Sequence, residues 1–254
     1  MKKALVLALF GMSLLQAKAQ STENPDISAP GKEIEKTFNQ RGWHIGGSFG
    51  INTTSIINQN SYKTPEMEYK PTFGINGGLV TGYNFNSFIG LQTEFLISQQ
   101  GQKYKDEYVG QPVVTREVQS SYFQIPLMLK YMSGQSTVQF YVMAGPQLGI
   151  LNTSSVTYNG SEWTPQMKIP GINSSSFFEK YEWGGKLAMG ADIKLSSDLY
   201  MNAGIALYAG LTDINIPEFR TRGNEFEVKP YKTSTNTYGG INVGLHYRIR
   251  NNLF

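Results

Sequence analysis

The sequence contains no cysteine and only two histidines among its 254 residues. The lack of cysteine excludes disulfides, thiolate metal sites, a cysteine nucleophile and lipid attachment at an N-terminal cysteine. The small number of histidines disfavours both a nucleophile–base pair and a histidine-rich metal centre. We therefore expect no enzymatic activity, no catalytic residue and no cofactor.

A surplus of basic residues is also missing. The chain carries 22 lysines and arginines against 19 acidic residues, a formal net charge of +3. Three of the lysines, Lys2, Lys3 and Lys18, lie in a leader that we expect to be removed, which leaves the mature chain formally neutral. Because nucleic-acid binding depends on neutralising phosphates with basic side chains, we expect no nucleic-acid partner.

The first 19 residues have the pattern of an export signal. Two lysines precede an apolar segment, residues 4–15, that is too short to cross a bilayer. The sequence Ala17-Lys18-Ala19 has the small-x-small pattern of a cleavage site. We expect residues 1–19 to be a signal peptide cleaved after Ala19. The alternative, an N-terminal membrane anchor, is less favoured because a polar sequence follows.

The sequence after the leader contains no run of 18 apolar residues, so it predicts no transmembrane helix. Residues 20–42 are polar and contain two prolines, and we interpret them as a periplasmic N-terminal tether. Within it, residues 31–40 could form one short helix. We predict that residues 43–254 form a single outer-membrane β-barrel domain.

The stretch from Gln119 to Leu151 is the clearest structural signal. It contains two segments in which apolar and polar residues alternate over more than ten positions. Alternation with period two predicts strands, and strands of this length that are apolar on one face are typical of a membrane-spanning barrel. Six further segments share the pattern. The eight predicted strands cover about residues 43–51, 73–83, 88–97, 120–131, 138–150, 183–194, 199–211 and 238–249.

The predicted connections alternate between long and short. Bacterial barrels have short periplasmic turns and long external loops. We therefore expect an eight-stranded antiparallel up-and-down transmembrane β-barrel in the outer membrane, with four long external loops and both termini in the periplasm. The predicted long loops are 52–72, 98–118, 152–182 and 212–237, and the short turns are 84–87, 132–136 and 195–198.

One face of the predicted strands carries aromatic residues at both ends. Rings of aromatic side chains at the two membrane–water interfaces are typical of barrels in lipid. We expect a periplasmic belt and an external belt of lipid-facing aromatics. The periplasmic belt comprises Trp43, Tyr83, Tyr131 and Tyr247, and the external belt comprises Phe73, Phe95, Phe123 and Trp183.

The opposite face carries glycines and a few charged residues, which a narrow eight-stranded barrel would enclose. A charge in such a lumen must be paired or solvated by trapped water. We expect a lumen ionic network in which Glu94 pairs with Lys186, and Asp192 pairs with Lys130 or Arg248. Ionic filling of the lumen is favoured over a proton or ion relay.

The two histidines, His44 and His246, also point into the predicted lumen. They lie on the first and last strands, which pair to close the barrel. A metal site needs more ligands than two imidazoles, and Asp192 is the one nearby candidate. We therefore expect no metal site.

Three motifs carry a resemblance to a known family. The segments YFQIPLMLKY (122–131), FYVMAGPQLGIL (140–151) and LQTEFLISQQG (91–101) resemble the PorT-like outer-membrane β-barrel family, which is common in Bacteroidota. The resemblance covers residues 43–249 and implies a barrel similar to the eight-stranded OmpA and OmpX barrels. It also implies a role in the secretion or surface assembly of exported proteins.

Two function classes follow from the sequence. The first is a non-enzymatic barrel that anchors or assists an envelope or protein-export assembly, with a protein partner from that system. The second is a stand-alone structural or adhesion barrel that binds ligands through its external loops. A narrow channel is a lesser alternative. In each case we expect a monomeric barrel surrounded by outer-membrane lipid.

Overall fold

The described part of the chain is built of β-strands and short turns. A computed structural model describes residues 41–57, 67–106, 114–133, 137–158, 161–162, 178–217 and 233–249. Among these residues, no helix is long and apolar enough to cross a membrane. The predicted signal peptide, nearly all of the predicted tether and the helix predicted at 31–40 lie outside the described residues.

Ten strands lie in the described residues, and every strand pair is antiparallel. The strands are β1 (Gly42–Ile57), β2 (Met67–Lys70), β3 (Thr72–Asn84), β4 (Ile89–Asp106), β5 (Val114–Ser133), β6 (Val138–Tyr158), β7 (Ser161–Glu162), β8 (Tyr181–Lys194), β9 (Leu199–Gly210) and β10 (Thr235–Arg248).

Eight long strands close into a ring. Their hydrogen-bonded order is β4–β3–β1–β10–β9–β8–β6–β5, and β5 pairs with β4 to complete the circle. The first and last strands meet from His44↔Arg248 to Ile57↔Thr235. Closure leaves no strand edge of the ring unpaired, as a structure surrounded by hydrocarbon requires. The predicted fold class, an antiparallel up-and-down barrel of eight main strands, is confirmed.

The strands are longer than the sequence predicts at the end that carries the predicted long loops. We call this the external end and the opposite end the periplasmic end, following the predicted orientation. The ladder between β4 and β5 continues from Ser98↔Tyr122 to Asp106↔Val114, and β6 runs on to Tyr158. At the same end β1 runs on to Ile57 and β10 begins at Thr235, so parts of all four predicted loops, 52–72, 98–118, 152–182 and 212–237, are strand. The prediction is wrong there because both faces of these extensions carry polar residues, so the alternation that identifies a strand is lost. The short strands β2 and β7, which were not predicted, pair with β4 and β6 at this level.

The two faces of the wall have the chemistry of a barrel in lipid. On β5, Leu127 and Leu129 point outward with 49% and 59% of their surface exposed, whereas Gln124 and Lys130 point inward and are buried. This distribution, with apolar residues outside and polar residues inside, is the reverse of that in a soluble barrel and matches that of a membrane-spanning barrel. The lumen is therefore where polar and titratable groups collect.

Candidate functional site in the barrel lumen

Glycines on the inner face make room for the large lumen side chains. A Cβ atom on Gly82 would lie 2.7 Å from Cε1 of His44, and one on Gly149 would lie 2.5 Å from Cγ of Glu182. An eight-stranded barrel has space only for its own side chains. The positions of these glycines on β3 and β6 thus decide where the bulky polar groups of β1 and β8 can sit.

Two buried ion pairs cross the lumen. Lys130 Nζ on β5 lies 2.6 Å from Asp192 Oδ2 on β8, and Lys186 Nζ on β8 lies 2.6 Å from Glu94 Oε2 on β4. All four side chains are at most 6% exposed. Gln92 also donates a hydrogen bond of 3.1 Å to the other oxygen of Glu94. Removing a charge pair from water is costly, and short contacts with an additional hydrogen bond offset that cost.

Arg248 does not join this network. Its Nη2 atom lies 3.1 Å from Oδ1 of Asp198 and also donates to the carbonyl of Ser197, both in the turn between β8 and β9. The alternative pairing of Asp192 with Arg248 is therefore wrong. Arg248 is the last residue of β10, so its long side chain reaches the partly exposed periplasmic turn rather than the lumen.

The two histidines come together with a tyrosine near the periplasmic end. The rings of His44 and His246 lie 5.6 Å apart, and Tyr200 stacks on His246 at 4.8 Å. None of the four imidazole nitrogens has a partner that meets hydrogen-bond geometry. Lys130 lies 5.7 Å from the ring of Tyr200, so the histidines border the Lys130–Asp192 pair. Within the described ranges, no three histidine, cysteine, aspartate or glutamate side chains are grouped as a metal site requires.

A carboxylate network on the external side was missed by sequence reasoning. Glu182 of β8 is 1% exposed; its Oε1 accepts from the Tyr208 hydroxyl at 3.2 Å, and its Oε2 accepts from Asn236 Nδ2 at 2.5 Å. The same amide group lies 3.2 Å from the Tyr122 hydroxyl. The predicted strand began at residue 183, one position too late to place Glu182. Glu182 lies on the same inward face as Gly184 and Lys186, at every second position, and this pattern could have identified it.

An apolar cluster closes the barrel above this network, and we call it the external plug. It contains residues from the tall side of the wall and residues from the connections of β8 and β9, joined by the bridge between Phe178 and Asn215. All of its members are at most 8% exposed. Buried polar side chains such as Gln102 and Asn236 lie beside this apolar cluster, since they pair with Val118 and Ile56 in the strand register. The external plug comprises Ile56, Tyr104, Val118, Val156, Phe178 and Ile214.

The extension of β4 and β5 at the level of the plug carries charges on its outer side. Lys103 Nζ lies 3.1 Å from Glu117 Oε1, and Gln119 donates a hydrogen bond of 2.8 Å to the same carboxylate. Partial burial raises the pKa of Glu117, but the hydrogen bonds from Gln119 and Lys103 outweigh it and hold that pKa below its ordinary value. The pair therefore persists as an ion pair over the neutral range.

The aromatic residues predicted to form the belts all point away from the lumen. Trp43 and Tyr83 make an edge-to-face contact at 5.2 Å on neighbouring strands β1 and β3. Rings exposed on the outer face of a barrel are the side chains that contact surrounding lipid. The exposed fractions are 50% for Trp43, 72% for Phe73, 52% for Phe95, 45% for Phe123, 59% for Tyr131, 51% for Trp183 and 53% for Tyr247, and Tyr83 is partly exposed.

Several solved structures of outer membrane proteins are similar to this chain. Among solved structures, Neisserial surface protein A is 15% identical, with a TM-score of 0.44, and the match covers 82% of this chain and 97% of that one. The outer membrane protein OprG from Pseudomonas aeruginosa is 16% identical, with a TM-score of 0.42 and coverage of 83% and 98%. Outer Membrane Protein W of E. coli is 14% identical, with a TM-score of 0.40 and coverage of 83% and 99%.

The comparison with curated proteins found no match. The family model described as "Outer membrane protein beta-barrel domain" matches residues 18–215, which is most of the chain. A barrel of this family lies in the outer membrane, where its outer face contacts lipid. The chain belongs to the outer membrane protein β-barrel domain family.

Proposed function

We propose that this protein is a closed, non-enzymatic barrel that anchors or assists an envelope or protein-export assembly. The observation that carries the proposal is the filling of the lumen at three levels. The Lys130–Asp192 pair fills the periplasmic half, the Glu94–Lys186 pair lies further out, and the external plug closes the mouth. Side chains of the described residues fill the lumen at each of these levels, which supports a closed barrel whose surfaces carry the function.

The surface best suited to a partner is the extension of β4, β5 and β6 above the apolar band. From Ser98 to Asp106, β4 adds about 27 Å of strand at about 3.4 Å per residue. Its outer side presents polar and charged groups, among them Lys103, Glu117 and Gln119, rather than lipid-facing residues. The resemblance to the PorT-like family supports an export system as the source of the partner. The predicted signal peptide and periplasmic tether are consistent with such a role.

Co-purification from gently solubilised envelopes tests the proposal. We expect a stoichiometric envelope or secretion-system protein to accompany the barrel. Two tryptophan variants on the outer face of β5 localise the contact: Gln119→Trp lies in the polar extension, and Leu127→Trp lies in the apolar band. Gln119→Trp should reduce recovery of the partner, and Leu127→Trp should not. Equal recovery from both variants would contradict a contact on this part of the wall.

A stand-alone adhesion barrel is the second candidate, and the same extension favours it because a tall polar wall can also bind a ligand outside the cell. Recovery of a lone monomer, with saturable binding of a glycan or protein ligand that Gln119→Trp weakens, would support adhesion and overturn the assembly role. The channel alternative predicts stepwise conductance in planar bilayers at neutral pH. Such conductance would contradict the closed barrel.

A further inference from the structure

Glu182 differs from the other carboxylates enclosed in the lumen. Asp192 and Glu94 each lie 2.6 Å from a lysine, whereas Glu182 contacts no basic group within the described residues. Its partners are a tyrosine hydroxyl and a carboxamide, which are neutral donors. It is nevertheless 1% exposed. Among the described residues, a negative charge at this position would therefore have no basic partner, and it is shielded from bulk water.

The cost of that charge is large. Hydrogen bonds from neutral groups offset only part of the free energy lost when a carboxylate leaves water, so an unpaired buried acid takes up a proton or a cation. A protonated carboxyl fits the contacts, since its O–H can donate to the Tyr208 oxygen while the other oxygen accepts from Asn236. The described groups around it are Asn236 and Tyr238 of β10, Tyr208 of β9, Tyr122 of β5 and Gly149 of β6. Lys186, the next charged residue on the inner side of β8, is bound to Glu94 of β4.

We propose that Glu182 is a proton-binding site and that its proton holds the external plug closed. Glu182 lies four residues after Phe178 of the plug. The segment between them is tied down by hydrogen bonds of 2.7 Å from Glu179 N to the Ile214 carbonyl and 2.8 Å from Leu151 N to the Lys180 carbonyl. Loss of the proton creates a buried charge, and an outward movement of residues 178–182, toward the mouth, would bring that charge to water. Movement in that direction separates Phe178 from Ile214 and opens the plug.

The direction of the pH effect follows from this arrangement. The closed state binds the proton more tightly than an open, hydrated state does, so closure is favoured at lower pH and is lost as pH rises. Replacing Glu182 with glutamine mimics the protonated acid, because the amide can donate to the Tyr208 oxygen and accept from Asn236. The Glu182→Gln variant should therefore stay closed at every pH.

Infrared spectroscopy of the full chain in lipid vesicles tests the proton directly. The wild-type protein should show the carbonyl stretch of a protonated carboxyl at neutral pH, and this band should disappear at alkaline pH. Glu182→Gln should lack the band, whereas Glu94→Gln should retain it because Glu94 is bound to Lys186 and Glu182 is left unchanged. Two results would overturn the proposal: absence of the band from the wild-type protein, or loss of the band at neutral pH on addition of sodium, potassium or calcium chloride, which would mean a metal cation.

Thiol labelling tests the coupling to the plug. Because the chain has no cysteine, a single Ile214→Cys substitution gives a unique probe in the plug, and Gln119→Cys gives an exposed reference that corrects for the reagent's own pH dependence. The labelling rate of position 214 relative to position 119 should rise several-fold from neutral to alkaline pH. The Glu182→Gln background should abolish this rise. An equal rise in both backgrounds would refute the coupling, and failure to recover a partner protein would bear only on the proposed assembly role.

Discussion

Replacing Lys130 with methionine removes the cation from a pair in which both side chains are at most 1% exposed. Breaking a buried ion pair by removing one side chain costs about 3–5 kcal/mol in the free energy of unfolding. Lys130 also lies 4.9 Å from the ring of Tyr141, a desolvated cation–π contact whose loss adds up to about 2 kcal/mol. We therefore expect Lys130→Met to be strongly destabilised.

Two further variants separate the ion pair from a general packing defect. Replacing both partners, Lys130→Met with Asp192→Leu, removes both desolvation costs and should recover most of the lost stability, since exchanging a whole buried pair for apolar residues is neutral or stabilising by about 1–4 kcal/mol. Arg248→Met breaks a pair whose side chains are 22% and 17% exposed. Its cost should be no more than about 1 kcal/mol.

The free energies of unfolding are measured by urea-induced unfolding in lipid vesicles, with tryptophan fluorescence and circular dichroism as the two probes. The expected order of stability places Arg248→Met nearest the wild type, the double variant next and Lys130→Met lowest. Equal costs for Lys130→Met and Arg248→Met would refute the account of the lumen as a desolvated ionic interior. A double variant as unstable as Lys130→Met would show that packing, not charge, dominates.

Three shorter predictions concern the wall and the external extension. Gly184→Ala should destabilise the barrel by about 1–3 kcal/mol because its Cβ would lie 2.4 Å from a neighbouring carbonyl oxygen. Gly185→Ala, whose Cβ would have no atom within 4 Å, should stay within about 0.5 kcal/mol of wild type in the same unfolding assay. Single-tryptophan proteins retaining Trp43 or Trp183 should be quenched most strongly by lipids brominated near the headgroup; stronger quenching by bromine at the chain end would contradict an interfacial position for the residue concerned. Glu117→Gln should slightly lower the free energy of unfolding at neutral pH, and this difference should vanish as pH falls through the lowered pKa of Glu117; a difference that persists in acid would contradict the ion pair.

Local sequence pattern was sufficient for the architecture. Alternation of apolar and polar residues identifies the eight main strands, because side chains on a strand point alternately to its two faces. The same parity places Leu127 and Val142 outside and Lys130 and Asp192 inside, as the structure has them. Where both faces are polar, as in residues 98–106 of β4, the pattern disappears and the strand is not predicted.

Parity also predicts which distant residues share the lumen face, but it does not predict how high each of them lies along the barrel axis. Glu94 and Lys186 are 92 positions apart and still lie together, at a level that the predicted strand order anticipates. For Asp192 the sequence left two partners, and Arg248 was the wrong one. The choice depends on the stagger between strands and on whether a strand-end side chain turns into the lumen or toward a turn, neither of which is encoded within a single strand.

The sequence by itself therefore determined a lipid-facing barrel with its charges enclosed, because these properties follow from the period and polarity of each strand. Only the tertiary structure decided the closed external plug, the isolated carboxyl of Glu182 and the final pairing of the lumen charges. These features join residues from strands on different sides of the ring, and their contacts depend on how far each strand is displaced along its neighbours when the sheet closes.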